Sequence, residues 1–385
     1  MQVLEGIKVL DFSKWLPGQY CGMTLGDFGA DIIKLESTDG DATRGFTPSM
    51  QEKMSYWHLM LNRNKRGLTV NIKTTAGREV LLRLLKEADV FLEGFRPGYL
   101  QTLGLDYDTI KKVNPRLIYC SITGFGQSGP HRHMPAHDLN VLGLSGLAAH
   151  EDGKSISVPE MQMTAISAAM NAVNGILLAL FAREKSGVGQ YLDISLYAAA
   201  MSCQATGISS LIGCRATGSK PFGRTSSHYY TTYQTKDGRY MCVGTLEPKF
   251  WAQLCQLLAR PELVDRQYDF EHSGEIKQAV ATAFAEKTQQ EWLELIGDAE
   301  FCVTPVCTLS EALGSDLTTV QTEMLETRVE DIGSVQYVRS PIKLSATPAK
   351  ISKRAPYLGE DNEVVLKKLG YLQEEIDDLR NRGDI

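Results

Sequence analysis

The segment "IKVLDFSKWLPGQYCGMTLGDFGADIIKLES" (residues 7–37) decides the fold class. Its ends, 7–13 and 30–37, are short runs of apolar and β-branched residues, as in buried strands. The stretch between them, 18–29, is predicted to be a helix that ends at Gly29. A strand–helix–strand unit of this length predicts two parallel strands joined by a crossover helix.

The same alternation continues through the first third of the chain. Further strands are predicted at 68–74, 89–97 and 117–126, with a periodic helix at 76–88. The pattern predicts a Rossmann-like α/β domain with a parallel sheet. The first strand is followed by "SKWLPGQYCG" rather than GxGxxG, so we expect no NAD.

The pattern changes near residue 200. "SHYYTTYQTKDGRYMCVGT" (227–245) predicts a hairpin with Asp-Gly in its turn, and helical segments follow it. We therefore predict a large Rossmann-like domain joined to a smaller α+β domain. The predicted borders are 1–200 for the first part of the large domain, 201–325 for the small domain, and 326–385 for a segment that returns to the large domain.

Composition narrows the function class. The chain is 43% hydrophobic and 22% charged with a formal charge of −6, so a nucleic-acid partner is not expected. The eight cysteines are scattered without a CxxC pair, which predicts reduced thiols and no metal site. Because the first residues lack a basic start and a long apolar run, we expect a cytoplasmic protein.

The apolar stretch "EMQMTAISAAMNAVNGILLALFAR" (160–183) carries no charge between its two ends. It is long enough to cross a bilayer, but several polar residues interrupt it. Its many alanines favour close helix packing. We therefore predict a buried helix and no membrane partner.

Two short motifs contain candidates for catalysis. His137 in "MPAHDLN" lies in a loop where an α/β fold places ligands, and histidine acts as a general acid or base near neutral pH. Glu247 in "TLEPKFW" precedes a predicted helix and could orient a histidine. Taken singly, His137 can equally be structural, and Glu247 can serve only the helix N-terminus.

Basic residues suggest an anionic ligand. Arg96 follows a predicted strand directly, a position that suits a phosphate or diphosphate. Solvation alone explains many such charges. The candidate cations for this role are Arg44, Arg63, Lys65 and Arg96.

In order along the chain, these motifs resemble the class III CoA-transferase family, which includes the α-methylacyl-CoA racemases. The resemblance is carried by "LEGIKVLDFSKWLPGQYCG", "GDATR", "NRNKRGLTVNIK", "ADVFLEGFRPGYLQTLGLDY", "GILLALFAREKSGVGQYLDISLY" and "YYTTYQTKDGRYMCVGTLEPKFW". It implies an interlocked homodimer with a CoA thioester as ligand. It also implies that the ADP part of CoA lies near Arg63, Lys65 and Arg96.

The resemblance also assigns catalytic positions. Racemases of the family look as though they use a histidine in a "GHDIN"-like loop, matched here by His137, and a supporting glutamate, matched by Glu247. The family aspartate, which is the second base in racemases and the nucleophile in transferases, falls at Thr164 or, by another count, at Ala165. Neither is acidic, and the nearest carboxylate is Glu160, about one helical turn away.

Three hypotheses follow from this departure. The first is racemase-like α-proton chemistry on an acyl-CoA through His137, supported by Glu247. The second is a CoA-transferase that moves CoA between carboxylic acids despite Thr164 at the aspartate position, using Glu160 or an unidentified group. The third is a non-catalytic CoA-binding subunit that depends on a different chain.

Overall fold

Two compact units make up the chain in the computed structural model. The structure describes residues 1–51, 54–149, 156–219, 227–299, 301–322, 324–329 and 332–385. The larger unit comprises Met1–Ala205 and Gln321–Ile385, and the smaller unit comprises Thr206–Val320. The sequence-based prediction places the corresponding borders at 200 and 325.

A parallel sheet forms the centre of the larger unit. The strands of this unit before residue 205 are β1 (Lys8–Phe12), β2 (Asp31–Glu36), β3 (Ser49–Gln51), β4 (Met54–Ser55), β5 (Lys65–Thr69), β6 (Val90–Glu93), β7 (Ile118–Thr123) and β8 (Tyr191–Ser195). Across the described residues the sheet order is β5-β2-β1-β6-β7-β8, with all neighbours parallel. The predicted α/β class with a parallel sheet is confirmed.

Helices cover both faces of this sheet. They are α1 (Trp15–Asp27), α2 (Tyr56–Leu61), α3 (Thr75–Glu87), α4 (Tyr99–Thr102), α5 (Tyr107–Ile110), α6 (Asp138–Leu144), α7 (Met163–Ser186) and α8 (Leu196–Cys203), with a 3-10 turn at Ala42–Gly45. Successive residues of β6 alternate between the two cores: Val90 and Leu92 face one, and Phe91 faces the other. Burial on both faces explains why Val90, Phe91 and Leu92 form a continuous apolar run in β6.

Two elements of the larger unit begin three residues earlier than the sequence predicts. Helix α1 begins at Trp15 rather than at residue 18, because Pro17 is tolerated in a first turn. Strand β5 begins at Lys65 rather than at residue 68, because Lys65 pairs with Ile32 in a parallel register. The second shift matters for function, since it draws part of the basic "NRNKRG" segment into the sheet.

Helix α7 spans Met163–Ser186 and packs against the sheet, as predicted for a core helix. Ala168, Ala172 and Ile176 lie in one hydrophobic cluster with residues of β7. The helix is long and apolar enough to cross a membrane by length and composition alone. Its small-residue face is instead buried in the core of this unit.

The smaller unit contains the predicted hairpin. Its strands are β9 (Tyr230–Gln234), β10 (Tyr240–Gly244) and β11 (Val303–Pro305), in the order β11-β10-β9. The helices between residues 205 and 322 are α9 (Ala205–Thr217), α10 (Pro248–Leu257), α11 (Ser273–Phe284), α12 (Gln289–Ile296), α13 (Leu309–Leu313) and α14 (Asp316–Thr322), with a 3-10 turn at Pro261–Arg266. Trp251, Phe284 and Trp292 lie in its core.

The C-terminal segment returns to the larger unit. It contains β12 (Leu325–Val329), β13 (Gly333–Tyr337), α15 (Asn362–Lys368) and α16 (Gln373–Asn381). Leu366 and Ile376 are buried in the same hydrophobic cluster as Leu10 of β1. The last helices therefore complete the core over one face of the central sheet.

Candidate active site

A cavity of about 490 Å³ lies within the larger unit, beyond the carboxyl ends of β1, β6 and β7. Ser13, Gly94 and Thr123, which end or directly follow these strands, line one side. The first residues of α6 and α7 line another. Ligands of parallel α/β sheets bind at this edge, and the volume is that of a small-molecule site.

Asp138 connects the starts of the two helices. One of its carboxylate oxygens, Oδ1, accepts hydrogen bonds from the Thr164 hydroxyl at 2.6 Å and from the Ala165 backbone N–H at 2.8 Å. Gln162, the N-cap residue of α7, makes no side-chain capping bond of its own. A carboxylate from α6 thus caps α7, where the helix dipole favours negative charge.

His137 immediately precedes α6 and is exposed to the cavity. Its backbone N–H donates to Asn140 Oδ1 at 3.0 Å, which ties the residue to the first turn of the helix. Its ring stands edge-to-face against Trp15, with centroids 5.6 Å apart and an interplanar angle of 84°. The imidazole therefore lines the cavity next to the Trp15 ring at the start of α6.

Aromatic side chains form an apolar wall beside His137. Phe46 contacts Trp15 at a centroid distance of 6.0 Å and Trp57 at 5.7 Å. The Trp57 indole N–H donates to Gln19 Oε1 at 3.2 Å. The surface of these rings suits the hydrocarbon part of a ligand.

Glu160 is exposed and also lines the cavity, in the segment that leads into α7. Together with His137 and Asp138 it gives the cavity one imidazole and two carboxylates. This set suits proton transfer or attack by a carboxylate. No group of three or more His, Cys, Asp or Glu side chains suited to a metal ion occurs among the residues that the structure describes.

Residues 4–362 match the family model for CoA-transferase family III. The chain belongs to CoA-transferase family III. The chain is 32% identical to the succinyl-CoA--L-malate CoA-transferase beta subunit of Chloroflexus aurantiacus, over 98% of this chain and 97% of that protein. It is also 32% identical to human alpha-methylacyl-CoA racemase, over 98% and 96% of the two chains. Both kinds of relative are enzymes.

A solved structure supports the same assignment. The crystal structure of a CaiB/BaiF family protein from Brucella suis superposes with a TM-score of 0.82 at 28% identity, covering 96% of this chain and 99% of that one. The family resemblance inferred from the motifs is confirmed. Because both racemases and transferases occur at similar identity, the comparisons leave the reaction open.

The predicted cation site of this family III chain needs correction. Arg44, Arg63 and Lys65 are buried, and each forms an ion pair inside the chain. Arg44 contacts Glu36 at 2.6 Å, Arg63 contacts Asp27 at 2.6 Å, and Lys65 contacts Asp11 at 2.8 Å. Their charges are already neutralised, so these side chains do not present free cations to phosphate groups. Ion pairing in the folded chain, which the sequence does not show, therefore neutralises these three cations.

Arg96 is the exposed member of the predicted cation set. It follows β6 and lines a second cavity of about 250 Å³ on the larger unit. Lys14, which sequence reasoning missed, is also exposed and lines the first cavity, with its ammonium 5.8 Å from the Phe95 ring. Arg96 and Lys14 both follow the end of a strand. This position is the sequence signal by which Lys14 could have been predicted.

The second cavity contains a carboxyl group with an unusual proton affinity. Glu93, the last residue of β6, is 3% exposed, and burial raises its pKa to about 7. Hydrogen bonds from Ser121 and from the Phe95 backbone N–H act in the opposite direction without offsetting burial. Glu93 was not among the predicted site residues, because the sequence shows only an acidic residue at a strand end.

The remaining predicted residues fall in different places. Thr164 is fully buried and bonded to Asp138, so its hydroxyl is not a free nucleophile. Glu247 immediately precedes α10 in the smaller unit, and its support of His137 stays a prediction. Asp138 is the residue that sequence reasoning passed over, although it stands next to His137 in the "HD" pair.

Proposed function

We propose that this protein binds an acyl-CoA and removes and returns the proton at the α-carbon of the acyl group, in the manner of a racemase or epimerase. The observation that carries the proposal is the placement of His137 and Asp138 together at the cavity, between the starts of α6 and α7. The relative alpha-methylacyl-CoA racemase supports this class of substrate.

His137 is the proposed base. It takes the α-proton of the thioester and becomes an imidazolium, while the electron pair moves onto the thioester oxygen as an enolate. The N-terminus of α7 favours such a negative charge nearby. A carboxyl group on the other side, from Asp138 or Glu160, returns a proton to the opposite face. We assign Glu247 the role of supporting the imidazolium.

A second candidate, CoA transfer, rests on one observation. The start of α7 has no acidic residue of its own, yet the Asp138 carboxylate reaches it through Thr164 and Ala165. That carboxylate could attack the thioester carbonyl, expel the CoA thiolate and form a mixed anhydride. The returning thiolate would then attack the Asp138 carbonyl of the anhydride, which releases the acyl carboxylate and leaves an Asp138–CoA thioester. A second carboxylate would expel the thiolate to form a new anhydride, and attack of the thiolate on its acyl carbonyl would give the new acyl-CoA and free Asp138. The transferase relatives support this alternative.

The wider assembly is also part of the proposal. We propose that two copies interlock as a homodimer in the cytoplasm. Leu177, Leu178 and Phe181 are exposed apolar residues on α7, and a second chain would remove them from water. We propose that Arg96 and Lys14, the exposed cations identified above, contact CoA phosphates.

One experiment separates the candidates. The protein is incubated in deuterated water with a panel of 2-methylacyl-CoA esters, and α-deuterium is measured by mass spectrometry. We expect exchange that falls roughly 10²–10⁴-fold in His137→Ala, the usual contribution of a general base. His131→Ala, a change to an exposed histidine in the preceding loop, is the matched control and should exchange normally.

Hydroxylamine trapping covers the alternatives. An acyl adduct is sought during turnover with a carboxylic acid acceptor. If it forms in the unaltered protein and is lost in Asp138→Asn, CoA transfer replaces α-proton chemistry as the proposed function. Full exchange in His137→Ala would remove the histidine assignment. Binding of acyl-CoA with neither reaction, until a different chain is added, would favour a non-catalytic subunit.

A further inference from the structure

Six charged side chains form a buried charge cluster on and beside β1, β2 and β5. Each is at most 6% exposed, and three acids balance three bases. The members are Asp11, Lys34, Glu36, Asp41, Arg44 and Lys65. Exchanging a buried ion pair for apolar residues is often neutral or stabilising, so stability alone does not account for such a cluster.

Two members of the buried charge cluster hold Ser13, a residue that lines the active-site cavity. Lys34 Nζ donates to the Ser13 carbonyl oxygen at 2.6 Å. Asp11 Oδ1 accepts from the Ser13 backbone N–H at 3.1 Å and from its hydroxyl. The peptide groups on both sides of Ser13 are therefore fixed by buried charges.

The turn after Ser13 leaves no room for adjustment. A Cβ added at Gly18 would lie 2.1 Å from the Cβ and Oγ of Ser13, so a glycine is required there. Trp15, between these two residues, has a φ of 62°, a left-handed conformation that is strained for a bulky side chain. Surrounding structure must hold such a residue, and its ring is the one that contacts His137.

We propose that Lys34 and Asp11 are positioning residues for the active site. They hold Ser13, and Ser13 keeps Trp15 in its strained conformation. The Trp15 ring in turn fixes the orientation of the His137 ring. The proposal rests on the proposed function in that His137 is taken as the base. Neither Lys34 nor Asp11 lines the cavity, so they act through Trp15 rather than on the substrate.

Asp11 and Lys34 favour each other's charged forms. Burial alone would raise the pKa of Asp11, but Lys65 and Lys34 hold that pKa below its ordinary value. Burial alone would lower the pKa of Lys34, but Asp11, Asp41 and Glu36 hold it above its ordinary value. The hydrogen bonds of Asp11 and Lys34 with Ser13 are thus made by ionised groups. Such bonds are stronger than those between neutral groups.

The test combines kinetics with NMR of the histidine rings. The variant Lys34→Met with Asp41→Asn removes the Ser13 contact and keeps the charges of the cluster balanced. We expect kcat to fall at least about tenfold, since small displacements of a catalytic group can cost up to about 10²-fold, with KM for acyl-CoA changed less than about threefold. The His137 ring signals, assigned with His137→Ala, should shift toward those of Trp15→Ala.

Gly18→Ala provides a second variant that leaves every charge in place. Its added Cβ must displace Ser13, so the His137 signals should shift in the same direction. Lys8→Met, the same change in an exposed ion pair at the other end of β1, should leave both kcat and the signals unchanged. Unshifted His137 signals in Gly18→Ala and in the folded double variant overturn the proposal. If His137→Ala retains α-exchange, the proposed function fails, while the NMR arm still tests positioning.

Discussion

The start of α7, which lines the active-site cavity, and the buried charge cluster, which contacts Ser13 of that cavity, have opposite relations to charge. The first turn of α7 has no acidic residue, yet a carboxylate lies there because Asp138 of α6 contacts Thr164 and Ala165. Beside β1 and β2 the sequence is rich in charge, yet its cations are neutralised within the chain. Charge available to a ligand is therefore set by pairing in space, not by residue type.

This difference has a consequence for assigning sites from motifs. Arg63 and Lys65 occupy positions where the family resemblance implies a CoA contact, but their charged groups point into ion pairs. Exposed cations of the larger unit, Arg96 and Lys14, follow strand ends instead. Four predictions test how far this contrast holds, beginning with the largest expected effect.

Arg63→Met should lower the free energy of unfolding by about 3–5 kcal/mol, because it leaves the buried Asp27 carboxylate without its ion partner. Denaturant unfolding of the larger unit measures this. The double variant Arg63→Met with Asp27→Leu should recover most of the loss, since both charges are then gone. If the single variant had a normal free energy of unfolding but bound CoA more weakly, Arg63 would be a CoA-binding residue rather than a structural one.

Glu93→Gln should change how stability depends on pH. Because the folded-state pKa of Glu93 is raised to about 7, the unfolded chain loses its proton first, and stability falls as pH rises from about 4.5 to 7. The difference corresponds to roughly 3 kcal/mol at 1.36 kcal/mol per pKa unit. Unfolding measured at pH 5 and pH 8 should show a smaller decline in Glu93→Gln than in the unaltered protein. An equal decline in both would assign the dependence to other groups.

Asp138→Ala should lower the free energy of unfolding by about 1–2 kcal/mol, because α7 loses its cap and the buried Thr164 hydroxyl loses its acceptor. Asp138→Asn retains an oxygen acceptor and should cost less. Thermal unfolding of both variants gives the comparison. If Asp138→Ala were as stable as the unaltered protein, the contact between the two helix starts would contribute nothing to the free energy of unfolding.

Arg96→Ala should weaken CoA binding about tenfold, equivalent to ~1.4 kcal/mol, as for loss of one contact to a phosphate group. Calorimetric titration with CoA at two salt concentrations measures this, and added salt should narrow the difference. Lys73→Ala, which removes an exposed cation elsewhere on the same unit, serves as the control. Equal affinity in Arg96→Ala would place the CoA phosphates elsewhere.

Much of the fold followed from local patterns. Alternating strand and helix signals located β1, β2, β6 and β7, and Asp-Gly located the turn of the β9–β10 hairpin. The start of β5 did not follow, because Lys65 and Arg66 are polar residues that only pairing with β2 draws into a strand. Among candidate site residues, His137 and Glu160 do line the cavity, whereas Asp138 required the contact with Thr164 to be seen.

By itself, the sequence determined the family, the α/β class and the missing acidic residue at the start of α7, since these depend on residue identity and local periodicity. Only the tertiary structure decided which charges are free. Lys65 and Asp11 are far apart in the chain, and the fold brings them together as an ion pair. Because both are buried, either charge without its partner would be costly. The carboxylate that Thr164 lacks is supplied by Asp138 for the same reason: the fold brings two helix starts together.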